Sequence, residues 1–525
     1  MMSAGLTDKQ KIGQRFAAGF SGTKVSEELR HLIREYKIGN VILFGHNLES
    51  EAQAKTLCEE IQTLIYTETG FPAFISIDQE GGTVVRLPPD MFNVPGAMAL
   101  TASRDPENAA LAARITAEEL GRVGINCNLA PVLDINCNRD NPVIGNRSYA
   151  TRVEDAKYAV AAIRAYTEAG LMCCGKHFPG HGDTAVDSHL DLPMVDLSLE
   201  ELEKRELVPF KEAIEAGIPA IMTTHILFPQ IEKEKIPATM SEKILKGLLR
   251  EKLKFQGLIL SDGMEMNAIQ SYYGIPRGCV MAMSAGVDIV FVCHESLEME
   301  ASLREISAVF ERGGFDAAEF DASVERILRY KERYAARTNA ARPDTAERKE
   351  ETRDKVIRLT RGTLAPRDAK RSPPSLGNKP LFAGSLAYRS TIASSKPDSS
   401  LSFSLWFAKK FDGIARETPV NPSPGDIDAI VCEVTEIKEI TSIVFGSYNG
   451  HLNKGQMELA RALCDIAVKR GIPFSCLAMR NPWDLFLLPG EAYALAIWEY
   501  TERNFEAASA AFRGEFVPSG CLPGL

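Results

Sequence analysis

The stretch DPENAALAARITAEELGRVGINCNLAPVLDI, residues 105–135, joins a helical pattern to a short apolar run that ends at a carboxylate. The first part begins at a capping Asp, repeats apolar residues at helical spacing and ends at Gly124. The second part has the length and composition of a buried strand that ends near Asp134. A helix followed by a strand predicts parallel pairing, because the helix carries the chain back before the next strand begins.

The same unit recurs from about residue 10 to residue 335. The other apolar runs are RFAAGF, GNVILFG, PAFISID, LMCCGKH, PAIMTTHI, GLILSDG and VDIVFVC, with helical patterns such as SLEELEKRELVPFKEAIEAG between them. Eight strands that alternate with helices over this length predict a TIM-type (β/α)8 barrel in the α/β class. An open doubly wound sheet is the alternative.

The strand ends favour the barrel, because nearly every apolar run finishes at a polar residue. The carboxyl ends of all strands in a barrel meet at one face, where such enzymes build their active sites. We therefore expect one shared site, and the residues at the strand ends are Asn47, Asp78, Asp134, Lys176, His177, His225, Asp262 and His294.

The composition changes near residue 335. The segment RPDTAERKEETRDK is charged and helical in pattern, and RDAKRSPPSLGNKP is a Pro/Ser-rich basic linker. A second α/β pattern follows, with strand candidates LFAGS, DAIVCEV, SIVFG and FSCLAM. We predict a barrel over residues 1–335, a helical and charged linker over 336–378, and a three-layer α/β sandwich over 379–525.

Composition also limits the partners. The chain of 525 residues is 45% hydrophobic and 25% charged, and it has a formal net charge of −10. No sustained Lys/Arg block occurs, so we expect neither nucleic acid nor a membrane surface as partner. The start lacks a signal-peptide pattern, and the eleven scattered cysteines resemble free core thiols. We predict a cytoplasmic monomer or homodimer that acts on a small molecule.

The segment GKHFPGHGDTAVDSHLDLP, residues 175–193, holds three of the eight histidines of the chain. A metal site is one interpretation, although the spacing matches neither HExxH nor a Cys/His zinc pattern. A polar loop whose side chains cap and hydrogen-bond is the second. The third is an acid–base device, in which Asp187 orients His189 and favours its protonated form near neutral pH.

Other stretches carry carboxylates and an arginine with chemical potential. Asp262 in GLILSDGMEMNAI follows a strand and precedes a helix, so it can serve as a helix cap, a metal ligand or a nucleophile. Asp78 and Glu80 in ISIDQEGGTVVRLP, with Arg147 in NPVIGNRSYA, can hold sugar hydroxyls or form structural ion pairs.

Five blocks together resemble the β-N-acetylglucosaminidases of glycoside hydrolase family 3. They are DQEGGTVVRL, APVLDINCNRDNPVIGNRS, KHFPGHGDTAVDSH, TTHILFP and SDGMEMNAI, and they occur in the order of the family. KHFPGHGDT is a specific marker of this branch. The C-terminal segment from MRNPWDLFLLPG to FVPSGCLP is similar to the second domain of two-domain members of Gram-positive type.

The resemblance implies a retaining exo-β-N-acetylglucosaminidase that acts on muropeptide fragments or chitooligosaccharides without a metal or other cofactor. It implies that Asp262 is the nucleophile, that His189 is the acid/base and that Asp187 orients His189. The residues it implies for binding N-acetylglucosamine are Asp78, Arg147, Lys176, His177 and His181. Asp134 and His225 match supporting positions, and the second domain is not expected to donate the acid/base.

Two positions depart from the family pattern, and three other functions stay open. Gly263 stands where many members have a second acidic residue, and Asn146 stands where many have Asp. Phosphorolysis is an alternative, because a neutral histidine base does not repel an anionic phosphate acceptor. A metal-dependent hydrolase and a non-catalytic sugar-binding protein are the others.

Overall fold

The structure is a computed structural model that describes residues 5–184, 192–294, 296–336, 345–389, 393–396 and 398–524. Within these ranges, eight parallel strands close into a barrel in chain order. They are β1 (Phe16–Ala18), β2 (Asn40–Leu43), β3 (Phe74–Ile77), β4 (Cys127–Asn128), β5 (Met172–Phe178), β6 (Ala220–Thr223), β7 (Leu258–Gly263) and β8 (Ile289–Val292). The predicted barrel is confirmed, since β1 pairs with β8 and leaves no open edge.

The helices of the barrel domain lie before, between and after these strands. They are Asp8–Gln14, Glu27–Tyr36, Glu51–Thr69, Ala97–Ala102, Pro106–Arg122, Ala156–Glu168, Leu199–Lys204, Val208–Glu215, Asn267–Tyr273, Ile275–Ala285, Ser296–Glu311 and Ala317–Tyr334, with a π-helical segment over Lys243–Lys252. Short 3-10 turns lie at Gly45–Asn47, Gly145–Arg147, Val153–Asp155 and Ala238–Met240.

Two predicted helical patterns show how local sequence sets the boundaries. Asp105 caps the helix Pro106–Arg122 by accepting a hydrogen bond from the Glu107 backbone N–H at 3.0 Å. The pattern SLEELEKRELVPFKEAIEAG forms two helices, because the backbone at Arg205 leaves the helical conformation and a proline opens the second helix. The predicted helical pattern is therefore present, but it is divided into two helices.

The strands of the barrel present alternate side chains to two separate cores. Phe74, Met172 and Leu260 pack inside the barrel with other residues of that layer. Ile75 and Ile259 pack outward against the helices. Strands buried on both sides in this way explain why the runs are apolar at nearly every position.

The second domain is built on a six-stranded sheet in the order β11–β10–β12–β13–β14–β9, within the described residues. The strands are β9 (Ala365–Pro366), β10 (Pro380–Gly384), β11 (Ile414–Glu417), β12 (Ser442–Ser447), β13 (Phe474–Ala478) and β14 (Tyr493–Ala496), and β9 alone runs antiparallel to its neighbour. Its helices are Phe403–Phe411, Pro424–Glu436, Lys454–Arg470 and Glu502–Phe512, with a 3-10 segment at Pro482–Leu487.

Alternation along the central strands makes this domain three-layered, as predicted. Ile443 and Phe445 of β12 pack with the helices Pro424–Glu436 and Lys454–Arg470. Val444, between them, packs on the other face with Phe403–Phe411 and Glu502–Phe512. Successive residues of a strand point to opposite faces, so each face has its own apolar core.

The strand predicted at DAIVCEV is wrong, because these residues lie in the helix Pro424–Glu436. Ser423 and Asp426 form a reciprocal capping box, and Pro424 opens the first turn. The buried residues Ile430 and Val434 are four positions apart, which is helical spacing. A short apolar run does not distinguish a strand from a half-buried helix, and the cap decides here.

The predicted linker contains ordered elements that belong to the domains beside it. The helix Ala346–Thr363 contacts the barrel helices Ala97–Ala102 and Pro106–Arg122. Strand β9 then joins the second sheet beside β14. We therefore propose that the second domain begins at Ala365 and that the helix before it is the connection between the domains.

The second domain docks on the loops at the carboxyl ends of the barrel strands. The Asn146 backbone N–H donates to Asn481 Oδ1 at 2.9 Å, and the Asn146 side-chain amide donates to the Trp498 carbonyl at 3.1 Å. Gly96 N–H donates to the Glu499 carboxylate at 3.0 Å. An aspartate at position 146 would lack the amide donor, so the hydrogen bond to the Trp498 carbonyl depends on asparagine.

Two expectations from the composition concern the cysteine thiols and contact with membranes. All eleven cysteines lie among the described residues and carry free thiols, and most of them are buried. That arrangement agrees with the core thiols expected from the sequence. Among the helices in the described ranges, none combines the length and apolarity that crossing a bilayer requires.

Candidate active site

A cavity of about 980 Å³ opens at the carboxyl ends of the barrel strands. Its volume is within the range of small-molecule sites. It is lined by side chains from β2, β5, β6, β7 and β8 and by the loops that follow β2, β3, β4, β5, β7 and β8. The predicted site residues that reach it are Asp78, Arg147, Lys176, His177, His181 and Asp262.

The inner part of the cavity is held by a network of two carboxylates and two cations. Lys176 Nζ contacts Asp78 Oδ1 at 2.6 Å and Glu80 Oε1 at 2.7 Å. Arg147 binds Glu80 through two nitrogens, at 2.7 and 2.9 Å. Paired Arg–carboxylate hydrogen bonds fix both groups in position, so the loop after β3 and the loop carrying Arg147 are tied together.

Charge pairing keeps this network ionised although it is buried. Burial alone would raise the pKa of Glu80, but Arg147 and Lys176 hold the pKa of that carboxyl well below its usual range. Burial opposes the charge on Lys176, whereas Asp78 and Glu80 raise its pKa above the usual value. The side chain of Asp78 is 20% exposed and that of Glu80 only 6%, so Asp78 is the more accessible acceptor for a sugar hydroxyl.

A second network orients the two histidines after β5. Asp134 is fully buried and accepts from His177 Nδ1 at 2.7 Å and from the His181 backbone N–H at 2.7 Å. Although burial opposes it, the interaction with His177 lowers the pKa of Asp134, which keeps the carboxylate ionised. Burial and the neighbouring His177 lower the pKa of His181 to about 4, so His181 is neutral at pH 7. A carboxylate at Nδ1 sets the tautomer of His177.

Asp262 lies on β7, four strands from the network of β3 and therefore across the barrel from it. Its Oδ1 accepts from the Gly263 backbone N–H at 2.8 Å. His225 does not line the cavity; its Nε2 lies 2.9 Å from the Gly263 carbonyl and its Nδ1 lies 2.9 Å from Thr239 Oγ1. His225 thus supports the backbone beside the candidate nucleophile.

The sequence did not single out Glu265, which lines the same cavity. Burial raises the pKa of Glu265 to about 7, and the charge of Asp262 acts in the same direction. The Cys293 backbone N–H donates to Glu265, which ties the end of β7 to the end of β8. In the sequence, a carboxyl just before a helix is equally consistent with a helix cap. Only the closed barrel shows that Glu265 lies at the site.

Gly263 has room for a side chain, but that side chain would add to a crowded set of acids. A Cβ at this position would lie 3.6 Å from Glu265 Oε2 and 3.7 Å from Cys293 Sγ, which are ordinary contact distances. An acidic residue there, as in many family members, would bring a further carboxylate beside Glu265 and Asp262. Like charges at such distances raise one another's pKa, so glycine changes the local electrostatics.

The two residues predicted to move the proton, Asp187 and His189, lie outside the described residues. The segment before them is anchored at several points: Asn141 donates to the carbonyls of His181 and Gly182 at 2.9 and 3.1 Å. His181 Nδ1 lies 2.8 Å from Thr184 Oγ1. The chain is therefore held firmly as far as residue 184.

The groups in or near the cavity that could be considered for a metal ion already make hydrogen bonds or ion pairs. The Nδ1 atoms of His177 and His181 already bond Asp134 and Thr184. In the described chain, Cys137, Asp183 and Glu206 also converge outside the cavity. Arg205 contacts Asp183 at 2.6 Å and Glu206 at 2.7 Å, so a guanidinium already supplies the positive charge there.

The outer wall of the cavity contains His294, one of the predicted strand-end residues, and several residues that the sequence did not single out. Phe44 stacks on His46 with ring centroids 5.7 Å apart and lies 4.7 Å from the ring of His294. The second domain adds a loop, residues 385–389 and 393–396, which we call the second-domain loop. Its members at the cavity are Arg389, Ala393, Ser394, Ser395 and Lys396.

Replacing Glu80 with glutamine is expected to lower the free energy of unfolding by about 3 kcal/mol, because two buried cations lose their shared counter-charge. The side chains of Arg147 and Lys176 are 4% and 3% exposed, so water cannot stabilise them in place of the lost carboxylate charge. Urea unfolding followed by circular dichroism measures the change. Glu200→Gln is the control, since its pair with Lys204 is exposed and should change stability by less than about 1 kcal/mol. Equal losses in both variants would contradict the structural role of Glu80.

Known proteins resemble this chain in sequence and in fold. Residues 7–330 match the family described as the glycosyl hydrolase family 3 N terminal domain. β-Hexosaminidase A of Pseudoalteromonas piscicida is 32% identical over 365 residues, which are 62% of this chain and 61% of that protein. β-Hexosaminidase of Neisseria meningitidis serogroup B is 36% identical over 299 residues, which are 55% of this chain and 80% of that protein.

A solved structure resembles both domains. The family 3 β-N-acetylglucosaminidase from Paenibacillus sp. str. FPU-7 has a TM-score of 0.88 and 36% identity. The match covers 99% of this chain and 98% of the Paenibacillus chain. The family match spans more than half of the chain and includes the barrel that carries the cavity. This chain belongs to glycosyl hydrolase family 3.

Proposed function

We propose that this family 3 glycoside hydrolase removes terminal β-linked N-acetylglucosamine by hydrolysis. One observation carries the proposal: a strand-end carboxylate, Asp262, shares one cavity with an ionised network of Asp78, Glu80, Lys176 and Arg147. A polar, charge-paired pocket binds several hydroxyl groups in a fixed orientation, which is what an exo-acting glycosidase needs at a terminal sugar. The names of the hexosaminidase relatives support the same substrate class.

In the proposed mechanism, Asp262 attacks the anomeric carbon while His189 protonates the glycosidic oxygen. The bond to the leaving group breaks, and a covalent glycosyl-Asp262 forms. His189 then takes a proton from water, the water oxygen attacks the anomeric carbon, and the ester bond to Asp262 breaks. Two displacements at one carbon retain the β-configuration.

The supporting residues have distinct tasks in this mechanism. Asp78, Lys176 and His177 hold the hydroxyl groups of the sugar, with Arg147 acting through its pair with Glu80. His181 completes the pocket as a neutral ring. Asp187 keeps His189 in its productive orientation. No step requires a metal or another cofactor, because the acid, the nucleophile and the binding charges are all side chains.

The finer assignments are also proposals. The natural substrates are muropeptide fragments or chitooligosaccharides, the protein acts in the cytoplasm, and it is a monomer or a homodimer. The free thiols agree with a reducing compartment. The assignment to the two-domain Gram-positive type rests on the resemblance of the C-terminal segment.

Product analysis with 4-nitrophenyl N-acetyl-β-glucosaminide, with and without phosphate, tests the function. We expect free β-N-acetylglucosamine as the first product in both buffers, and unchanged rates after exhaustive EDTA treatment. Sugar 1-phosphate would show phosphorolysis, and EDTA-sensitive rates would show a metal-dependent hydrolase. Cleavage of the matching β-glucoside but not of this substrate would contradict the proposed specificity, and binding without turnover would indicate a sugar-binding protein.

A further inference from the structure

The 3-10 turn Gly145–Arg147 connects the second domain to the inner network of the cavity. On one side, Asn481, which follows β13, accepts a hydrogen bond from the Asn146 backbone N–H through Oδ1 at 2.9 Å. On the other side, the next residue, Arg147, binds Glu80 at 2.7 and 2.9 Å. A contact with the second domain and a contact within the inner network are therefore made by consecutive residues.

Asn481 packs tightly against the backbone of this turn. A Cβ at Gly145 would lie 2.7 Å from Asn481 Oδ1, and Gly145 has a φ of +46°, which favours glycine. The exposed fraction is 4% for Asn481 and 6% for both Asn146 and Arg147. Water therefore has little access to the Asn146 N–H, and a lost Asn481 acceptor would leave a buried donor unsatisfied.

Asn481 and the turn are each held by further contacts within the second domain. Asn481 Nδ2 donates to Asn449 Oδ1 at 3.0 Å, which fixes the orientation of the Asn481 amide. The Asn146 side chain donates to the Trp498 carbonyl at 3.1 Å, so the chain after β14 binds the same turn. The Trp498 indole in turn donates to the Thr363 carbonyl at 2.7 Å. The second domain thus presents a rigid surface to the turn.

A shift of the turn would be transmitted to the sugar side of the cavity. Arg147 and Glu80 form a two-point contact, whose geometry tolerates little displacement. Glu80 also contacts Lys176 Nζ at 2.7 Å, and Lys176 contacts Asp78 at 2.6 Å. Asp78 is the more accessible of the two carboxylates. The position of Arg147 therefore affects how the network presents Asp78 and Lys176 to a ligand.

We propose that Asn481 is a positioning residue of the second domain, which fixes the Gly145–Arg147 turn and thereby sets the affinity of the cavity for the terminal sugar. Asn481 is not among the described residues that line the cavity, so it acts through the Arg147–Glu80 pair. This inference rests on the proposed function, because it assigns the inner network to the terminal sugar. It gives the second domain a role in substrate binding without a catalytic group.

The test measures the dissociation constant of N-acetylglucosamine by calorimetry and kcat on the 4-nitrophenyl glycoside. Asn481→Ala should raise the dissociation constant about tenfold and keep kcat within about threefold of the wild type, because the catalytic groups are unchanged. Asn481→Asp keeps an oxygen for the Asn146 N–H, and the Asn449 amide can turn its NH2 group toward the new carboxylate. Its dissociation constant should therefore return to within about threefold of the wild-type value.

A double-mutant cycle distinguishes positioning of Arg147 from a general loss of stability. Lysine at position 147 cannot form the two-point contact with Glu80, so in Arg147→Lys the further substitution Asn481→Ala should change the dissociation constant by less than about twofold. A full additional tenfold loss in that background would overturn the proposal, because Asn481 would then act independently of Arg147.

Two further variants complete the test. Asn421→Ala is the matched control, since Asn421 Oδ1 also accepts a backbone N–H, that of Gly455 at 2.9 Å, but within the second domain. It should bind N-acetylglucosamine like the wild type. Gly145→Ala disturbs the contact with Asn481 from the barrel side and should weaken binding as Asn481→Ala does, so the test does not depend on one variant folding.

Wild-type affinity in Asn481→Ala or in Gly145→Ala, or an equal loss in Asn421→Ala, would overturn the positioning role. The proposed function fails separately. If the wild type bound N-acetylglucosamine with the expected coupling but did not cleave the glycoside, the function would be wrong and the role of Asn481 would stand. If the glycoside were cleaved and all variants bound the sugar equally, only the role of Asn481 would be wrong.

Discussion

Asp262→Ala is expected to reduce turnover of 4-nitrophenyl N-acetyl-β-glucosaminide by at least about 10⁴-fold, and azide is expected to restore part of it. Alanine removes the nucleophile and leaves a space beside the anomeric carbon. Azide enters that space and attacks from the face that Asp262 used. The product should therefore be the α-glycosyl azide, which nuclear magnetic resonance distinguishes from the β-anomer.

The configuration of the azide product is what identifies the nucleophile, because many substitutions in a cavity reduce turnover. Asp428→Ala is the control, since Asp428 is an exposed residue of the helix Pro424–Glu436 and should leave rates unchanged with or without azide. A β-glycosyl azide, or turnover of Asp262→Ala within tenfold of the wild type, would reject Asp262 as nucleophile. In the first case a group of the substrate itself would be acting in its place.

Much of the active-site geometry follows from the strand ends alone. Asp78, Lys176 and Asp262 each follow or end an apolar run. A closed parallel barrel brings such positions to one face regardless of side-chain identity. The sequence therefore predicted these residues before any distance was known. Their roles in binding and catalysis stay predictions, since position in a cavity does not assign chemistry.

Residues outside that rule could not be found in the same way. Glu265 reaches the cavity only because the turn after β7 folds back toward Cys293. Its spacing along the chain carries no periodic signal for such a contact. Asp134 does lie near a strand end, yet it points to His177 instead of the cavity, since a buried carboxylate is retained only where donors surround it.

The contribution of the second domain depends on contacts between distant parts of the chain. Ser395 meets Val85 across 310 positions of sequence, and Asn146 meets Trp498 across 352. A pattern read within one segment contains no information about how two folded domains dock. The sequence therefore predicted that a second domain exists but not that its loop forms part of the cavity wall.

His189→Ala is expected to lower kcat/KM about 10³-fold for a natural disaccharide but only about tenfold for the 4-nitrophenyl glycoside, because a good leaving group needs little protonation. The quantity kcat/KM reports the first displacement, in which His189 acts as the acid. The value of kcat should fall for both substrates, because the same residue activates water in the second displacement. Steady-state kinetics on the two substrates measure all four numbers.

Substitutions at the neighbours of His189 distinguish proton transfer by His189 from an effect of His189 on the conformation of its segment. Asp187→Asn should reproduce the same leaving-group dependence in weaker form, because the imidazole is present but no longer oriented by a charge. Ser188→Ala changes the residue between them and should leave the ratio of the two substrates at its wild-type value. Equal losses on both substrates in His189→Ala would mean that the histidine shapes the loop and does not transfer the proton. The acid would then have to be another titratable group at the cavity. Glu265, with a pKa of about 7, would be the first residue to test by substitution.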